Sequence, residues 1–229
     1  MTNGANVVDQ KQVIVPDSPE VRRLAALGSL NADLTEAALA LGLVSEYTEA
    51  DNDHDRALYR QLLALAVVVY GRAQTKSGAR KALWSYVTVP PNLESTHDQV
   101  MKFRNRTIAH SESENESTYV MADLASDGGP ITVERALVIT AASPSPRTFV
   151  HRFQALVAEL QVLLRTKIEV ARAAVIALID TQQSGDLWRE GRQPQLVPRL
   201  ISDWDPDTRR PPYPTSHEIP VYLLEDPQP

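Results

Sequence analysis

Between Lys102 and His110 the chain reads KFRNRTIAH, which places two arginines, an asparagine and a histidine close together. Histidine titrates near neutral pH, so it can take up or release a proton there as base or acid. Arginine is permanently charged and offers a planar fork of N–H donors that matches a phosphate. Such a pair suits proton transfer around a phosphodiester. On a continuous helix each residue advances about 100°. This sets Val100, Phe103 and Thr107 on one side of an arc, and Met101 and Ile108 on the other. Arg104 falls between them, in the middle of the face expected to be buried, with His110 about 120° away at its edge. An arginine so placed needs a carboxylate, a phosphate or water to receive its guanidinium. Lys102 and Arg106 fall on the outward side.

Other chemistry is thinly represented. The chain has no cysteine, which removes disulfides, thiolate metal sites and a cysteine nucleophile together. It has no Gly-x-Ser-x-Gly elbow, no phosphate-binding glycine loop and no His-Glu-x-x-His zinc helix. Residues Asp51 to Asp55 imitate a calcium loop, but Arg56 stands at the sixth position and Leu62 at the twelfth. Those acids are expected to complement a helix N-terminus instead, and neither a metal nor a cofactor is expected. His54 and His217 read as solvated, His151 as a surface or core-edge residue, and His97 as either. Arg72, Lys76, Arg80 and Lys81 follow one another with no acid between them. If that stretch borders the motif helix, Lys102 and Arg106 join it in a basic lip for RNA; otherwise it is a solvated positive face.

The elements that must position these residues are mainly helical. Residues 1–16 read as a flexible leader and 17–183 as a helical domain. Ser18-Pro19-Glu20 opens a first helix that fades near Val44, and a second runs from the acidic cluster to about Ala73. The run from Leu62 to Val69 predicts a second helix buried on most sides. Ser95 to Asp98 has capping-box spacing, which predicts a third helix from about Thr96 to His110. Residues 117–141 predict a β-hairpin about Asp127-Gly128-Gly129-Pro130. A long helix from Pro146 to Thr181 follows. Nine of the sixteen prolines fall in residues 184–229, which predicts an extended strap laying Trp188, Trp204 and Tyr213 on the helical body.

Net charge is -6, so the chain is no general polycation, although a local basic surface remains open to it. The apolar run Leu62 to Tyr70 is half of what a bilayer requires, and the first residues lack signal-peptide layout. With the missing cysteines, this predicts a cytoplasmic protein without membrane association.

The segment Arg104-Asn105-Arg106-Thr107-Ile108-Ala109-His110 resembles the arginine–polar–spacer–histidine motif of HEPN-domain proteins, closest to the abortive-infection and toxin branches. Arg104 fits its spacing with five residues before His110, Arg106 with three does not, and Asn105 fills the polar position. The resemblance spans Pro19 to Thr181. It implies an antiparallel helical bundle and a homodimer whose motif helices share one cleft. It also implies metal-independent endoribonuclease activity in phage defence, stress response or toxin–antitoxin regulation, with a neutralising protein partner. Arg104 and His110 would then be catalytic and Asn105 supporting. Glu112 stands where the toxins silenced by nucleotide modification carry tyrosine, so that mode of neutralisation is not expected. Two other readings remain: a non-catalytic dimeric binding or scaffold module, and a nucleotide-binding regulator.

Overall fold

The computed structural model describes residues 10–47, 52–109, 116–126, 131–182, 184–214 and 216–223. The protein is mainly helical, with α1 Pro19–Glu46, α2 Asp53–Ala73, α3 Glu94–Phe103, α4 Arg147–Gln182 and the short α5 Ser184–Glu190. Strands β1 Glu116–Ala125 and β2 Thr132–Ala142 form an antiparallel hairpin, and β3 Gln195–Leu200 pairs in parallel with β4 Glu218–Leu223. Among the described residues no helix is long and apolar enough to cross a membrane. The chain divides into two compact units: a first of Met1–Ser29, Lys76–Lys81 and Arg165–Pro229, and a second of Leu30–Thr75 and Ala82–Leu164.

Helix starts follow their capping chemistry. Ser18 Oγ accepts the Val21 N–H at 3.1 Å, and Asn52 Oδ1 accepts that of Asp55 at 2.9 Å. The expected capping box at Ser95 does not form. A 3-10 turn over Pro91–Leu93 winds straight into α3, which starts at Glu94 with no side-chain cap, so Ser95 lies inside the helix.

In the second unit, α1 buries Leu30, Leu34, Leu41 and Val44, α2 buries Leu63, Val67 and Tyr70, and α4 buries Phe153, Leu156 and Leu160. Each such side chain contributes about 1.5–3 kcal/mol. α2 is less enclosed than its sequence suggests: Leu65 and Val68, one turn apart, face solvent. Gln154 donates to the Leu41 carbonyl at 2.9 Å and Gln161 to Thr35 Oγ1 at 3.3 Å. Residue numbers thus rise along α4 as they fall along α1, and the two helices run in opposite directions. The hairpin is exposed on both faces, with Tyr119 and Met121 on one and Val120 and Val138 on the other.

The first unit corrects two expectations. Of the leader expected over residues 1–16, residues 1–9 lie outside the described residues and 10–16 are tied down: Ile14 N–H donates to the Arg192 carbonyl at 2.8 Å, Lys11 Nζ to that of Trp188 at 3.0 Å, and Tyr213 Oη to that of Val15 at 2.7 Å. The proline-rich tail is more than a strap, since it holds α5 and a parallel sheet. Pro198 and Pro220 fit because both strands of a two-stranded sheet are edges, where a missing N–H costs little. Of the three aromatics expected on the body, Trp188 and Trp204 are exposed, and Tyr213 is anchored on the leader segment.

Candidate functional site

α3 does not continue as an α-helix to His110. After Phe103 it widens into a π turn over Arg104–Ile108, closed by the Ala109 N–H donating to the Arg104 carbonyl at 3.0 Å. A π turn inserts one residue into the helical count, and such turns are frequent at functional sites. It sets Ala109, rather than Ile108, one turn beyond Arg104. The angular position assigned to His110 from α-helical geometry therefore no longer applies, and His110 itself lies outside the described residues.

Burial before and within that turn follows the arc in part, with Arg104 less enclosed than expected. Val100 is fully buried, Phe103, Arg104, Thr107 and Ile108 are half-buried, and Lys102, Asn105 and Arg106 are exposed. Arg104 packs on α2 at Gly71, so closely that a Cβ there would stand 2.6 Å from its Cδ and 2.7 Å from its Nε. Its Nη1 donates to Asn105 Oδ1 at 3.0 Å. Among the described residues no carboxylate lies within ion-pair distance of it. The guanidinium thus has helix backbone against one side and a neutral amide on another.

Five ring contacts brace this segment. Trp84 meets His97 at 5.0 Å, His97 meets Tyr70 at 5.9 Å, Tyr70 meets Phe153 at 5.2 Å, Phe153 meets Phe149 at 6.3 Å, and Phe149 meets Phe103 at 5.4 Å. Phe103 is the residue before Arg104. The Tyr70 hydroxyl and His97 Nδ1 lie 2.8 Å apart. Burial raises the phenol pKa, and burial lowers that of the imidazole against a smaller opposing pull from Asp98. Both shifts favour the neutral forms, so this is a hydrogen bond between two uncharged groups, with the donor set by the imidazole tautomer.

This pair makes stability depend on pH. A histidine pKa lower in the folded than in the unfolded chain stabilises the fold above the unfolded value of 6.5, and that stabilisation is lost as pH falls. The urea midpoint is expected to drop between about pH 7.5 and pH 5.5. The drop should be shallower in His97→Gln, and equal slopes would rule out His97 as its source.

The six residues expected to form a basic lip are divided. Lys102, Arg106 and Arg72 belong to the second unit, and Lys76, Arg80 and Lys81 to the first. Arg72 is held by Asp33, whose carboxylate is 7% exposed, at 2.7 Å, and by Glu36 at 2.8 Å, so its charge is neutralised within the fold. Arg80 Nη1 and Arg210 Nη2 both donate to Ser29 Oγ, at 2.6 and 3.2 Å. Lys76, Lys81, Lys102 and Arg106 are exposed.

Two residues near the motif carried no signal in the sequence. Gly71 reads as an ordinary helical glycine until its contact with Arg104 is seen. Gln74, three residues on, has both side-chain amide atoms buried with no hydrogen-bond partner among the described residues. Such a group costs about 1–3 kcal/mol. Gln74 is the C-cap of α2, and its backbone N–H donates to the Gly71 carbonyl at 3.2 Å.

No protein-family description, no curated protein and no solved structure matches this chain.

Proposed function

We propose that the chain is a metal-independent endoribonuclease of HEPN type, an antiparallel helical bundle that acts as a homodimer with one composite cleft. The observation that carries this reading is Arg104: half-buried, oriented by Asn105 and seated on Gly71, with no carboxylate to absorb its charge among the described residues. RNA supplies its own nucleophile. The 2′-hydroxyl attacks the adjacent phosphorus and gives its proton to His110 of one subunit. His110 of the other protonates the departing 5′-oxygen, leaving a cyclic phosphate and a 5′-hydroxyl. Arg104 stabilises the charge that builds on the non-bridging oxygens. Lys102 and Arg106 hold the flanking backbone, and phage defence or toxin–antitoxin regulation is the setting we assign.

RNA cleavage by the purified chain in excess EDTA tests this. Products with cyclic phosphate ends are expected, and His110→Ala should remove them by a factor of about a hundred or more. Activity that needs a divalent metal, or that survives the substitution, sinks the assignment.

The exposed apolar hairpin favours a second reading, a non-catalytic dimeric module that binds another protein. That reading expects no cleavage by the unaltered chain.

A further inference from the structure

Strands β1 and β2, 10 and 11 residues long, form a two-stranded sheet, and among the described residues no further strand joins it. That is about twice the usual strand length, and a lone hairpin is only marginally stable in water, where three or more strands are normally needed. Eight large apolar residues between Tyr119 and Ile139 are 42–77% exposed. At roughly 150–200 Å² for a fully exposed large side chain, they leave about 800 Å² bare. The largest apolar patch of a typical monomer is about 300–600 Å², and about 800 Å² is what each partner contributes to a stable protein interface. The exposure is divided between the faces, with Tyr119, Met121 and Ile139 on one and Val120 and Val138 on the other. A helix laid on one face would leave the other bare. An added strand alternates its side chains and so reaches both.

The two edges of the hairpin differ. Asp123 pairs with Arg135 and Leu124 with Val133, so Glu134 is the extra residue of a bulge in β2. A bulge and a charge are common guards of a strand edge. From Ser117 to Ala122, β1 has no bulge, no charge and no proline. That stretch also complements itself when run in the opposite direction. Antiparallel pairing about Val120 sets Val120 against Val120 of a second copy, Tyr119 against Met121, Thr118 against Ala122 and Ser117 against Asp123. No like charges meet, the tyrosine ring lies beside a thioether, and the serine hydroxyl can donate to the carboxylate. We propose that β1 pairs with β1 of a second copy of this chain, making a four-stranded antiparallel sheet in the order β2-β1-β1-β2 about a dyad at Val120. Such a contact closes on itself as a dimer and leaves the bulged β2 edges outermost. The Arg104 motif has no part in it, so the proposal stands whether or not the chain cleaves RNA.

Sedimentation of the full chain over a range of concentrations, together with thiol cross-linking, tests it. The chain has no cysteine, so Val120→Cys introduces a single thiol. Residues directly opposed on antiparallel strands have Cα atoms about 4.5–5.5 Å apart, within reach of a disulfide. A reversible dimer is expected, and oxidation should link it covalently in Val120→Cys. Val138→Cys lies on the same face, but its two copies are three strand spacings apart, about 14 Å, and should link at least about tenfold less. Val120→Lys sets two ammoniums on the dyad and should weaken dimerisation about tenfold or more, and mixing it with Val120→Glu should restore it. Both positions are exposed, so the helical circular dichroism should stay unchanged. A monomer at every concentration would overturn the proposal and leave the β1 edge to a different protein. A dimer untouched by Val120→Lys, or equal linking in Val120→Cys and Val138→Cys, would overturn it as well.

Discussion

Arg104→Ala is expected to lower RNA cleavage by about two to three orders of magnitude, the usual cost of removing a preorganised group that faces transition-state charge. Stability should hardly change. The side chain is half-buried, its hydrogen bond among the described residues goes to the exposed Asn105, and truncation removes mainly the packing of its stem on α2. The melting temperature should therefore move by only a few degrees. Arg104→Lys separates charge from shape: an ammonium restores the charge but not the fork, so partial recovery is expected. If Arg104 serves packing instead, the alanine variant unfolds more readily and leaves cleavage by the remaining folded protein unaffected.

Gly71→Ala carries the second large effect, and its two readouts move in opposite directions. Alanine in a helix interior is worth roughly 0.5–1 kcal/mol over glycine. The new methyl would stand 2.6 Å from Arg104 Cδ, a distance real contacts do not sustain. Arg104 is the flexible partner and swings away, losing its seat and its bond to Asn105. Stability is expected to hold or rise slightly while cleavage falls about tenfold or more, since small misplacements of a catalytic group are costly. The double variant Gly71→Ala, Arg104→Ala should be no worse than Arg104→Ala alone, because both act through one side chain. Full activity in Gly71→Ala would mean that Arg104 works from another position.

Local chemistry was legible in the sequence where it decides structure locally. Ser18 caps the helix it marks, Asp53 and Asp55 fall in the first turn of α2, and the hairpin strands fall within a residue or two of their expected limits, whereas Arg104, expected in the middle of a buried face, is half-buried. Features set by distant residues were not legible. Nothing in RNRTI announces a π turn; its extra residue accompanies packing of that segment on α2 and of Phe103 on Phe149. Gly71 and Arg104 are far apart in the chain, so only the fold reveals their contact. Arg72 looked like part of a basic surface because Asp33 and Glu36, which neutralise it, lie on another helix. The tail's prolines argued correctly against long helices, yet gave no sign of the pairing between β3 and β4.

The first unit is assembled from stretches at both ends of the sequence, and that imposes an order in time. During synthesis, the second unit has all its residues once Leu164 has emerged, whereas the first still awaits Arg165–Pro229. At about 5–20 residues per second, that is an interval of roughly 3–13 s. The backbone of Ile14 and Val15 lacks its partners until Arg192 and Tyr213 arrive. The stretch around Ile14 is thus made well before the residues that bind it, and a nascent protein stalled before Arg192 carries all of the second unit while the Ile14 N–H still lacks its acceptor.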